Sequence, residues 1–166
     1  MTSAAEHKQT MRAWLLVGVQ GVLFALVAVA ALLPAMGPTL WAPLALALAL
    51  IVAGAIGVIS SARDLGSALT PLPIPNGKGL AVAGLYRWAR HPMYSSLLLI
   101  CLGVAVGAGK AQTYVAVVLL AVFFAFKARA EEGYLLTAYP GYVEYAAVTG
   151  RFVPGVGRLR RSGDTP

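Results

Sequence analysis

Two clusters of polar side chains stand out in a chain that otherwise has few. The first is Arg90-His-Pro-Met-Tyr94, which sets a guanidinium, an imidazole and a phenol around a proline. Pro92 suits the first position of a helix, where its missing N–H costs nothing. The residues after it would present unpaired backbone N–H groups and the positive end of a helix dipole, a seat for a carboxylate or phosphate. Arg90 and His91 add donors beside that seat. The second cluster is Glu131-Glu132, two adjacent carboxylates able to accept from an ammonium or a hydroxyl group. Each cluster alone has a plain alternative. Tyr86, Arg87, Trp88 and Arg90 suit interfacial anchors, and the glutamates suit a solvated helix end. The functional reading depends on the chain bringing the two together.

The elements between them are membrane-spanning helices. The chain is 59% hydrophobic and 11% charged, with a mean hydropathy of +0.77, whereas soluble domains carry about 25% charged residues. Ala13–Leu33, interrupted only by Gln20, is long enough to cross the hydrocarbon core and too long for the apolar part of a cleaved signal peptide. Pro34, Gly37 and Pro38 supply a turn, and Trp41–Ile59 forms a second span with Trp41 at the interface. Tyr94–Val106 and Tyr114–Phe126 are shorter. They span when extended through their flanks, with Lys127 and Arg129 snorkelling to the surface. The short join Gly107–Thr113 makes these two an antiparallel hairpin, which returns Glu131 and Glu132 to the side where Arg90 and His91 stand. The expected fold is an all-α integral membrane protein of four transmembrane helices, the last two a hairpin, with a cytoplasmic loop and C-terminal helices. Gly18/Gly21 and Gly54/Gly57 offer points of close helix approach.

Charge gives the orientation. Of the 13 Lys and Arg residues, only Lys110 falls on the far side, so the other 12 share one face. The positive-inside rule makes that face cytoplasmic, with both termini inside. The net charge of +7 forms no nucleic-acid motif; it flanks apolar segments and fits attraction to anionic headgroups. The single cysteine, Cys101, lies in an apolar run, so neither a disulfide nor a metal framework is expected.

Residues 1–166 read as one membrane domain: two scaffold spans over 12–61, a catalytic region over 62–154, and a basic, flexible tail over 155–166. Within the catalytic region, Pro71-Leu-Pro-Ile-Pro75 is extended and Asn76-Gly77-Lys78-Gly79 is a turn. A connection this long between spans often carries function. Tyr139-Pro-Gly-Tyr-Val-Glu-Tyr145 and Arg151-Phe-Val-Pro154 suggest a helix–turn–helix along the surface. Tyr142 and Tyr145, three apart, share a helix face; their plain role is interfacial anchoring.

Arg90-His-Pro-Met-Tyr94, the apolar hairpin, Glu131-Glu132, the tyrosine-rich stretch and Arg151-Phe-Val-Pro154 together resemble the isoprenylcysteine carboxyl methyltransferase family. That family is taken in the broad sense that includes small bacterial members and phospholipid N-methyltransferases. Leu65-Gly, Leu69-Thr-Pro-Leu-Pro73 and Gly84-Leu-Tyr86 extend the likeness, which runs from Leu65 to Pro154. The resemblance implies S-adenosylmethionine as cofactor and a lipophilic or lipid-like acceptor arriving from the bilayer. It implies a cofactor pocket lined by Leu80, Tyr86, Arg90, His91, Pro92, Met93, Tyr94, Glu131 and Glu132. Lys127 stands where eukaryotic members use an arginine to engage a prenylcysteine carboxylate, and Arg151 is a second candidate for an anionic substrate. Sterol-type membrane reductases share an Arg-His-Pro-x-Tyr layout but use NADPH, and a non-enzymatic scaffold is a third reading. Such reductases usually lack a Glu-Glu pair placed as here, and a transporter more often places its ionisable groups near the bilayer midplane, whereas here they lie at one interface.

Overall fold

The computed structural model describes residues 2–74 and 77–159, with side chains from residue 7 onward. Asn76 of the expected turn and Arg160 and Arg161 of the expected tail lie outside the described residues. The order is α1 (Thr2–Leu32), α2 (Leu44–Leu65), 3-10 turns at Gly66–Ala68 and Gly84–Arg87, α3 (Pro92–Ala108), α4 (Ala111–Ala138) and α5 (Tyr142–Val148). The described residues hold five α-helices and no strand, only single bridges pairing Thr39 with Lys110 and Ala89 with Gly150.

Three helices among the described residues, α1, α2 and α4, are long and apolar enough to cross a membrane. α3 has 17 residues, about 25 Å at the helical rise, short of a roughly 30 Å hydrocarbon core. Both of its ends are fixed by sequence. His91, before the proline, is kept out of helical geometry (φ −125, ψ 55), and Pro92 takes the first position. At the other end Gly109 turns left-handed (φ 60, ψ 28), its N–H bonding Ala105 O at 3.0 Å. A Cβ there would also lie 2.8 Å from Leu40 O, so glycine is needed twice over.

α3 lies antiparallel along α2. A Cβ on Gly54 would stand 2.6 Å from Ser96 O and 2.9 Å from Ile100 N, and one on Gly103 would stand 2.8 Å from Ala47 O. Backbone atoms cannot move aside cheaply, so these glycines set the helix separation. Gly54→Ala is expected to cost about 1–3 kcal/mol by overpacking, read as a lower melting temperature in detergent. Gly57 joins the same face, packing on Ser96. Gly18 and Gly21 of α1 face open space instead, so only the second expected pair makes a close approach within this chain.

α1 closes the bundle over α4 and α3 through a core of Val27, Cys101, Ala105, Ala116, Leu120 and Phe124. The outer faces stay apolar and exposed, as at Leu15, Val22, Leu46, Val52, Val118 and Val122, as lipid contact requires. The one cation at the far end has a structural use. Lys110 Nζ donates to Ala31 O and Leu33 O, both at 2.7 Å, and Gln112 Nε2 donates to Pro34 O at 2.8 Å. Together they satisfy carbonyls at the end of α1 that have no helical partner. Lys110→Met is expected to lose about 1–3 kcal/mol, again seen as a fall in melting temperature.

Candidate functional site

The hairpin of α3 and α4 sets the two polar clusters side by side. Arg90 Nε donates to Glu132 Oε1 at 2.9 Å, and Arg151 Nη2 donates to Glu132 Oε2 at 2.7 Å. His91 Nε2 lies 3.2 Å from Glu132 Oε1; donation to that carboxylate leaves Nδ1 as the imidazole's free acceptor when it is neutral. One carboxylate thus holds three basic groups. The rest of the Arg90 guanidinium is also engaged: Nη1 donates to Thr149 O and to Ala146 O at 3.0 Å, and Nη2 donates to Gly157 O at 2.9 Å. These acceptors belong to the end of α5 and the chain after it.

That segment is a strap across the start of α3. Arg90 N–H and His91 N–H bond Gly150 O and Arg151 O at 2.8 and 2.9 Å, and Ser95 Oγ donates to Phe152 O at 2.6 Å. Residues 155–159, the first part of the expected tail, fold back onto it, with Leu159 N–H on Ala146 O at 3.0 Å. Beyond α4, then, the described chain has one short helix and a non-helical strap rather than two helices. Tyr142, expected at an interface, is 1% exposed beneath it.

Adjacent residues on a helix point about 100° apart, and the two glutamates divide accordingly. The Glu132 side chain is 5% exposed, that of Glu131 28%. Glu131 Oε2 accepts from Tyr94 Oη at 2.8 Å and lies 3.8 Å from His91 Nδ1. Tyr94 is stacked between His91 and Phe124, with ring centroids 5.3 and 4.6 Å away. Glu131 is therefore a positioned carboxylate with access to solvent, and Glu132 is a buried one already spent.

Glu131 overlooks two adjoining clefts, about 570 and 430 Å³ with the open solvent at their mouths and about 80 Å³ each in cavity volume, that share Leu65, Ala68, Thr70, Tyr86, Arg90 and Glu131 as walls. The larger is closed by Leu72, Ile74, Leu80, Leu135, Tyr139 and Tyr142. The smaller ends on His91, Met93 and Tyr94, at the first turn of α3. Mostly apolar with a few convergent polar groups, this cleft has the lining of a small-molecule site. Its far wall is fixed by Asp64, whose Oδ2 accepts from Leu85 N–H at 2.8 Å, and by Tyr145 Oη, which donates to Tyr86 O at 2.5 Å. Burial, with Glu131 nearby, holds the Tyr86 phenol well above its ordinary range, and burial with Glu132 nearby does the same to Tyr142. Burial pushes Tyr145 up to about 12, opposed by Arg90. All three stay protonated near neutrality: they can donate hydrogen bonds and offer ring faces, but cannot act as bases.

The model of one family, phospholipid methyltransferase, matches residues 42–141. That is 100 of the chain's 166 residues. The chain belongs to the phospholipid methyltransferase family. The match takes in α2, the loop, α3 and α4, and hence both polar clusters. Among curated proteins, no match to the chain is found. The family is one of membrane methyltransferases, and the apolar helices agree with a lipid environment.

Of the residues singled out from sequence, Leu80, Tyr86, Arg90, His91, Met93, Tyr94 and Glu131 line the cleft. Pro92 is buried and starts α3, and Glu132 and Arg151 form the ion-pair network beside it. Lys127 does not snorkel. It is 3% exposed, and its Nζ donates to Gln20 Oε1 at 2.5 Å and to Pro71 O at 3.4 Å, lying 5.5 Å from the Tyr94 ring centre. Gln20, the lone break in the first apolar run, is there to meet it. The sequence did not mark Thr70, Leu135 or Tyr139 as walls. The spacing of Tyr139 and Tyr142 was the available signal, but it reads equally as anchoring.

Proposed function

We propose that the chain is an S-adenosylmethionine-dependent methyltransferase acting on a lipid-like or isoprenoid-type acceptor at the cytoplasmic face of the inner membrane. In this reading α3, lying along α2 and extended through its flanks, is the fourth span. The 12 cations that the sequence places on one side of the spans support cytoplasmic termini. The observation that carries the proposal is Glu131. It is a solvent-reaching carboxylate, oriented by Tyr94, between an apolar tyrosine-walled cavity and the first turn of a helix.

The donor set fits the cofactor. Leu72, Ile74, Leu80 and Leu135 form a slot suited to a flat heteroaromatic ring. Glu131 would accept from an ammonium or from ribose hydroxyls. The first turn of α3 would take a carboxylate. Arg90, its nitrogens occupied, would position the strap rather than bind. Glu132, Arg151 and Pro92 would hold the same frame, and Lys127 would fix Tyr94 and the loop at Pro71. When bound, the cofactor supplies an electrophilic methyl on a sulfonium. The chain's part is alignment and exclusion of water, with tyrosine faces turned to a cation. A carboxylate acceptor needs no base. An amine acceptor must lose a proton, and Glu131 or His91 Nδ1 stands in the smaller cavity to receive it.

Calorimetric titration of the purified chain with S-adenosylmethionine and, separately, NADPH tests this. Saturable binding of the first alone is expected. Binding of NADPH alone would move the chain to the reductase reading.

A further inference from the structure

Buried polar atoms in folded proteins are almost always hydrogen-bonded, and a buried tyrosine hydroxyl normally finds a partner. Three side chains among the described residues depart from this: Ser61, Thr113 and Tyr142. Ser61 and Thr113 are buried in α2 and α4 and line neither cavity. Tyr142 differs, because it is one of the residues that line the cleft. It is 1% exposed, on the first residue of α5, and its hydroxyl has no hydrogen-bond partner among the described residues.

Its neighbour shows that this is not a general feature of α5. Tyr145 packs edge-on against Tyr142, ring centroids 5.9 Å apart, and lines the same cavity. The Tyr145 hydroxyl is fully used, donating to Tyr86 O. Two tyrosines on one helix face thus have opposite states: one ties the wall together and the other is left with a donor unspent. Leaving a buried donor unmade is costly. The cost makes sense where something entering the cleft completes the bond.

We propose that Tyr142 is a ligand-contacting residue whose hydroxyl donates to an oxygen or nitrogen of the nucleoside part of the cofactor. The assignment to that part follows from the walls. Tyr142 belongs to the larger cavity with Leu72, Ile74, Leu80 and Leu135, whereas the helix N-terminus, His91 and Tyr94 belong to the smaller one. Tyr142 also lies one residue beyond the stretch that the family model matches. This inference rests on the cofactor reading above.

The test is Tyr142→Phe in the full-length chain, read two ways. Without ligand, removing an unpaired hydroxyl is expected to leave the melting temperature unchanged or raise it by about 1–4 °C. With S-adenosylhomocysteine as probe, calorimetric titration is expected to show binding about three- to tenfold weaker than wild type. Tyr145→Phe is the control: losing its bond to Tyr86 O, it is expected to lower the ligand-free melting temperature. Weaker binding without any loss of ligand-free stability in Tyr142→Phe is what a purely structural tyrosine would not give. Undiminished affinity in Tyr142→Phe, with wild type binding normally, overturns this inference alone. A lower ligand-free melting temperature overturns it too, since the hydroxyl would then have a partner within the protein. No binding by wild type overturns the cofactor reading and this inference with it.

Discussion

Glu132→Ala is expected to destabilise the chain by about 3–5 kcal/mol, the usual cost of breaking a buried ion pair from one side. The substitution would leave Arg90 buried without its carboxylate, Arg151 without any of its three bonds to Glu132, and His91 Nε2 without an acceptor. Because Arg90 also holds Ala146 O, Thr149 O and Gly157 O, loosening it loosens the whole strap. The melting temperature in detergent should fall by many degrees. Trypsin should cut faster after Arg151 and Arg158. Glu132→Gln, which keeps the shape and one acceptor, should lose less. If Glu132→Ala melted like wild type, the network would be incidental to the fold.

Glu131→Gln is expected to do the reverse. Its carboxylate is more exposed and bonded only to Tyr94 Oη, from which an amide oxygen can also accept. Stability should change little. Cofactor affinity should fall by about 1.5–3 kcal/mol, the worth of a hydrogen bond to a charged group, or roughly ten- to hundredfold. The pair of variants separates two adjacent and chemically identical residues by their effects: one for folding, one for binding. Equal affinity in Glu131→Gln and wild type would remove Glu131 from the site.

How much of this was legible beforehand follows from the physics of each part. The spans of α1, α2 and α4 show in hydropathy because burial in lipid selects residue type directly. The meeting of Arg90-His91 with Glu131-Glu132 was legible because a short hairpin leaves the chain no other return path. The division of labour between the glutamates was not. It depends on the rotational phase of α4 against α3, which packing decides and neither local sequence reveals. Lys127 looked like a snorkelling end residue because its partner, Gln20, is 107 residues away. Lys110 looked like an exception to a charge rule, and its bonds to Ala31 and Leu33 explain it only once α1 and α4 are seen together. The burial of Tyr142 was hidden for the same reason: aromatic residues near a membrane surface suit an anchor and a pocket wall equally well.

In the proposed function this cleft presents a methyl donor to a lipid-like acceptor. The most direct test incubates membranes containing the chain with isotopically methyl-labelled S-adenosylmethionine and follows lipid extracts by mass spectrometry. A labelled lipid or isoprenoid species is expected, appearing with wild type and falling at least tenfold with Glu131→Gln under limiting cofactor. Absence of any labelled lipophilic product, from membranes in which the folded chain binds the cofactor, would contradict the proposed function.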